Sequence, residues 1–136
     1  HYMIKLSVND ISFFDYSDME IKKGGVSYTV DTLRELKKQY NELEFIIGYD
    51  NIFSFHTWKD PDEILKLAKI IVLKRKSSHP PPFKDEYYRQ AVFVETRGIE
   101  ISATDIRERV KNEMPINFLV PLNVMEYIYN HKLYTE

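Results

Sequence analysis

Glu44-Phe45-Ile46-Ile47-Gly48 decides the fold class. Three consecutive apolar residues closed by a glycine form the pattern of a strand covered on both faces in a parallel sheet. Two further runs repeat it, residues 69–73 (KIIVL) and residues 91–95 (AVFVE). Helical periodicity lies between and around them. Residues 27–40 place Val30, Leu33, Leu36 and Tyr40 on one face. Pro61 suits the first turn of a helix with Asp60 as N-cap, and Ile64, Leu65 and Leu67 fill its inner face. Ser102 opens a helix to about Lys111. Residues 123–130 form a last one with Val124, Tyr127 and Ile128 inward. Helices alternating with buried strands predict an α/β fold with a doubly wound, mostly parallel sheet, not a barrel or a bundle.

Outward from this frame the signals are weaker. Residues 11–19 alternate loosely and are rich in aromatics, which reads as a short strand before the Gly24-Gly25 break. Met3, Leu6 and Asn9 fall at helical spacing, as in a chain entered partway through a helix. Residues 75–84 contain Ser77, Ser78 and the prolines Pro80 to Pro82, which fit neither helix nor central strand. That segment is the strongest loop, and no internal repeat is found.

Composition bounds the function. A chain of 136 residues suits one domain. Lysine and arginine total 19 against 21 acidic residues, a net charge of -2, so no global basic field attracts nucleic acid or an anionic membrane. Phosphate binding has to be local. There is no cysteine, which excludes disulfides and thiol chemistry and fits a reducing, cytoplasmic compartment. No apolar run approaches the length of a membrane span, and no signal peptide is visible. The histidines His1, His56, His79 and His131 form no metal-ligand spacing, so no metal site is expected in these residues.

The most informative local segment is Ile101-Ser102-Ala103-Thr104-Asp105-Ile106-Arg107. Ser102 as N-cap with Asp105 three residues on is a capping pattern. The free backbone N–H groups and the Thr104 hydroxyl make an anion site there. Arg107 lies one turn on and offers a planar guanidinium to phosphate oxygens. The plainer reading is a surface cap, with Arg107 paired to Glu108 or Glu113. Ligands of doubly wound sheets bind outside the carboxyl ends of the strands, so Gly48, Asp50, Arg75 and the Ser102 turn are expected near one crevice. For Gly48 and Asp50 the plainer reading is a tight turn and its cap. Taken alone, Trp58 reads as a core aromatic.

Context raises these readings. Ser27-Tyr28-Thr29 with Asp31-Thr32-Leu33, then residues 46–50 (IIGYD), Thr57-Trp58, residues 101–107 and finally Val120-Pro121 through Leu133-Tyr134 occur in a fixed order. Together they resemble the bacterial nicotinate mononucleotide adenylyltransferase family over essentially the whole chain. The resemblance implies a Rossmann-like sheet of the nucleotidyltransferase superfamily. It also implies transfer of AMP from ATP to nicotinate mononucleotide, giving deamido-NAD and pyrophosphate, with Mg²⁺ accompanying ATP. Ser102, Thr104 and Arg107 would hold ATP phosphates, and Gly48 and Asp50 a nucleotide ribose. Thr29 and Trp58 would form the nicotinate pocket, and Arg75 would contact phosphate. No catalytic base or nucleophile is identifiable. Small-molecule substrates are the expected partners, and a homo-oligomer is compatible with the sequence.

The family's glycine-rich first strand, with its phenylalanine-aspartate-proline and histidine-x-glycine-histidine motifs, has no counterpart in these residues. The expectation is a C-terminal portion of one nucleotidyltransferase domain, lacking its first strand or strands and inactive alone. The rival readings are a related adenylyltransferase with another phosphate acceptor and a non-catalytic nucleotide-binding module.

Overall fold

The computed structural model describes residues 1–75, 82–99 and 101–135, without the side chain of Arg75. In chain order come α1 (Tyr2–Val8), α2 (Met19–Lys23), α3 (Thr29–Lys37), β1 (Glu44–Gly48), α4 (Asn51–Ser54), a 3-10 turn (Phe55–Thr57) and α5 (Pro61–Leu67). They are followed by β2 (Lys69–Arg75), α6 (Glu86–Gln90), β3 (Val92–Thr96), α7 (Ala103–Lys111) and α8 (Leu122–Asn130). Contacts divide the chain into two compact units, His1–Asp18 with Ile99–Glu136, and Met19–Gly98.

The Met19–Gly98 unit holds a parallel sheet of order β1-β2-β3. Glu44 pairs with Lys69 and Gly48 with Leu73, while Ile71 pairs with Val92 and Arg75 with Thr96. The helices α3 and α5 cover one face, where Val30, Phe55, Ile64 and Val72 are fully buried together with Ile47, Ile52 and Ile70. Each such side chain contributes roughly 1.5–3 kcal/mol by leaving water. The parallel class and the three strands follow the sequence expectation.

The covering of both faces does not. Ile46 is 60% exposed, and Leu73, Val92 and Val94 are exposed as well. Successive residues of a strand point to opposite faces. Helix α5, from the β1–β2 connection, and Tyr87 and Tyr88 of α6, from the β2–β3 connection, pack on the same buried cluster. Among the described residues neither connection leaves an element for the other face. Tyr40, expected inward, is 54% exposed because α3 stops at Lys37.

Residues 11–19 form no strand. Ile11 and Phe14 donate backbone bonds to Val8 and Ile11, which makes successive turns, and Met19 already opens α2. A single short run with no pairing partner has nothing to satisfy its edges as a strand. Asp60 does stand before α5, but in the left-handed region (φ 50°, ψ 55°) and without a side-chain cap bond. The expected Pro61 start is kept.

The other unit is helical. Ile106, Val110, Ile116, Val124 and Ile128 form its core, with Met3 and Leu6 of α1 packed against it. Asn123 Nδ2 donates to the Leu6 carbonyl at 2.7 Å, fixing the start of α8 to α1. Among the described residues no helix is long and apolar enough to cross a membrane.

Candidate functional site

Gly48 ends β1 beside the exposed side chain of Asp50. A β-carbon built there would lie 2.8 Å from Asp50 Oδ1. Gly48 is not among the positive-φ residues, so a tight left-handed turn is not what selects glycine. Asp50 stands at the N-cap position of α4, yet its side chain makes no cap bond. Neither plain reading of the pair is realised, and the exposed carboxylate is left beside a strand end with room made for it.

The expected Thr29 and Trp58 segments meet through a residue that sequence reading did not single out. Thr29 is the first residue of α3 and is half-buried. Trp58 is also half-buried, its ring 5.1 Å from that of Phe55 and 6.1 Å from that of Phe45. Lys59, next to Trp58, sits 4.4 Å from the ring centroid of Tyr28, next to Thr29, and 3.5 Å from Asp31. Trp58 therefore lies on the rim of the core, near the start of α3. The Thr57 hydroxyl is spent on the Ser54 carbonyl at 2.7 Å.

Around the same helix start runs a network of charges. Arg34 donates through Nε to Glu63 Oε1 at 2.8 Å and through Nη1 to Asp31 Oδ1 at 2.8 Å, and Lys23 meets Asp31 at 3.0 Å. The Lys23 hydrogen bond holds the Asp31 carboxyl below its ordinary range against a smaller opposing desolvation. The Arg34 hydrogen bond does the same for Glu63, and Glu63 raises Arg34 further. A cleft of about 500 Å³ lined by Lys23, Tyr28, Asp31 and Arg34 adjoins them. It is not lined by Thr29 or Trp58. The i,i+3 spacing of Asp31 and Arg34 was legible in the sequence, whereas the Glu63 partner from α5 was not.

In the other unit the Ser102 capping pattern is present. Ser102 has extended backbone, and its Oγ accepts from the Asp105 N–H at 3.0 Å. The amides of Ala103 and Thr104 have no intrahelical acceptor, as in any first turn. Arg107 Nη2 donates to Thr104 Oγ1 at 3.1 Å. Among the described residues Arg107 pairs with neither Glu108 nor Glu113. A cap, a hydroxyl and a guanidinium thus share one exposed helix start.

Arg75 ends β2 opposite Thr96, at the carboxyl edge of the sheet, and its side chain lies outside the described residues. So do Ser77, Ser78, His79, Pro80 and Pro81 of the expected loop. His56 is half exposed and 4.0 Å from Asp85. Among the described residues no three histidine, aspartate or glutamate side chains are grouped as a protein cage for a metal ion requires.

Comparison with known proteins places this geometry. Residues 2–109 match the family described as Cytidylyltransferase-like. A protein of Desulfitobacterium hafniense is 39% identical, over 97% of this chain and 68% of its own length. One of Clostridium botulinum is 35% identical, over 98% and 70%. Both are described as a "probable nicotinate-nucleotide adenylyltransferase". Among solved structures, the Plasmodium falciparum nicotinic acid mononucleotide adenylyltransferase complexed with NaAD superposes with a TM-score of 0.72 at 19% identity. That match covers 99% of this chain and 72% of the other.

Proposed function

This chain belongs to the nicotinate-nucleotide adenylyltransferases of the cytidylyltransferase-like family, and we propose how its residues divide the work of that reaction. The activity is transfer of AMP from ATP to nicotinate mononucleotide, a step of NAD biosynthesis. A phosphate oxygen of the mononucleotide attacks the α-phosphorus of ATP. The bond from that phosphorus to the bridging oxygen breaks, and its electron pair leaves with pyrophosphate. No protein nucleophile is required, so positioning and charge stabilisation carry the rate.

In our reading Ser102, Thr104 and Arg107 receive ATP phosphates, and Gly48 and Asp50 receive a ribose of the nucleotide. Thr29 and Trp58 receive the nicotinate: the indole stacks on the pyridine ring, and the first amides of α3 donate to the carboxylate. Arg75 contacts phosphate of the mononucleotide. Mg²⁺ would accompany ATP and would supply charge neutralisation at its phosphates. We place the reaction in the cytoplasm with its substrates. We take the chain as part of one nucleotidyltransferase domain, a reading supported by a family match that runs through residues of both units.

The observation that carries the assignment is the α7 start, where Arg107 and Thr104 are already joined at 3.1 Å beside the Ser102 cap. It is tested by pyrophosphate release from ATP with the acid or the amide mononucleotide. Transfer to the acid, with the amide disfavoured by about tenfold or more, is expected from loss of a charge-assisted contact. Equal use of both would sink the Thr29 and Trp58 assignment. Binding without release would identify a nucleotide-binding module.

A further inference from the structure

The carboxyl end of β2 carries a cation whose neighbours are aromatic instead of acidic. Leu73 pairs with Gly48, so Lys74 is the next residue along β2 and Tyr49 the next beyond β1. By alternation both side chains point to the face of Val72 and Ile47, toward the helices. Lys74 Nζ lies 5.6 Å from the centroid of the Tyr49 ring. That ring is itself wedged, edge-on to Phe53 at 5.0 Å and to Phe93 at 6.4 Å. Lys74 is half-buried.

Four other lysines of this unit are ion-paired, while Lys84, like Lys74, lies over a ring, 5.8 Å from the centroid of Tyr88. Lys23 and Lys59 meet Asp31, Lys38 meets Glu35 and Lys69 meets Glu44. Among the described residues Lys74 meets no carboxylate. A half-buried ammonium without a counter-ion gives up part of its hydration, and a ring beneath it offsets part of that cost while fixing its direction. The Tyr49 hydroxyl is buried beside that of Tyr88.

Tyr49 lies between Gly48 and Asp50, and Lys74 precedes Arg75. The oriented cation therefore stands at the sheet edge where parallel α/β sheets bind ligands, in a protein whose net charge of -2 supplies no general attraction for phosphate. We propose that the Lys74 ammonium, held in place by the Tyr49 ring, contacts the phosphate chain of ATP. The inference rests on the adenylyltransferase reading above, and it adds a binding residue that this reading did not contain.

The test is calorimetric titration of the protein with ATP, with inorganic pyrophosphate and with nicotinate mononucleotide, for the unchanged chain and for Lys74→Met, Lys74→Arg, Tyr49→Phe and Tyr49→Leu. Pyrophosphate isolates the phosphate contact from base and ribose. Lys74→Met should weaken ATP and pyrophosphate alike, on the order of tenfold for a lost charge-assisted bond, with mononucleotide affinity and melting temperature held. Lys74→Arg should retain most of the affinity. Tyr49→Phe keeps the ring and should bind like the unchanged protein, while Tyr49→Leu should lose part of the affinity. Unchanged ATP and pyrophosphate affinities in Lys74→Met would overturn the proposal. So would equal losses for all three ligands with a lowered melting temperature, or failure of the unchanged protein to bind ATP and pyrophosphate. Absence of adenylyl transfer would count against the proposed reaction roles alone, leaving Lys74 to be decided by these affinities.

Discussion

A β-carbon on Gly48 would stand 2.8 Å from Oδ1 of Asp50, nearer than side-chain atoms approach without one of them moving. The strand end is shaped around a carboxylate that has no cap to make. Gly48→Ala should displace that carboxylate and weaken ATP by about the tenfold expected of a lost charged hydrogen bond, while mononucleotide affinity holds. Titration calorimetry on the alanine variant decides it. Undiminished ATP affinity would mean that Asp50 touches no nucleotide.

The start of α7 separates capping from binding. Ser102→Ala removes the acceptor of the Asp105 N–H and should cost about 1 kcal/mol of stability, the usual worth of such a cap. Arg107→Ala leaves the cap intact and should mainly weaken ATP. Chemical denaturation and ATP titration of the two variants should therefore give opposite patterns. An Arg107→Ala protein that is less stable but binds ATP normally would reduce the segment to a surface helix start.

The parts of this fold that were legible in sequence are those fixed by local pattern. EFIIG had to be a strand, Pro61 had to start a helix, and Ser102 with Asp105 had to cap one. The exposure of Ile46 was not legible, because an apolar run does not say how many of its faces the connections will cover. Nor did periodicity reveal that Tyr40 falls past the end of α3. Of the proposed site, Gly48, Asp50 and Ser102 are suggested by motif and spacing. Lys59 over Tyr28 and Lys74 over Tyr49 were not, since each brings together residues far apart in the chain.

Trp58 is anchored on Phe55 and Phe45 yet remains only half-buried, and we propose that its ring meets the nicotinate. Trp58→Ala should weaken nicotinate mononucleotide far more than ATP, and Trp58→Phe should restore much of the difference by keeping an aromatic face. The stability cost of the alanine change should fall below the roughly 3–5 kcal/mol of a fully buried aromatic. Titrating each variant with both ligands checks this. Equal weakening of the two would place Trp58 in the core with no part in the pocket.

Arg34 ties α3 to α5 through Glu63 and also meets Asp31, and the tie carries a pH signature. Both carboxyls titrate below their ordinary values of 4.5 and 3.8 in the folded chain. The unfolded chain therefore binds protons first as the pH falls, and stability present above those ordinary values is lost as the folded pKa values are crossed. For Glu63 the leading cause is Arg34, whereas for Asp31 it is Lys23. Arg34→Gln should accordingly remove the Glu63 share of the acid dependence and keep most of the Asp31 share. Urea unfolding midpoints from about pH 6 to about pH 3 should fall less steeply in the variant than in the unchanged protein. Parallel curves, merely displaced, would mean that Arg34 and Glu63 do not interact in solution.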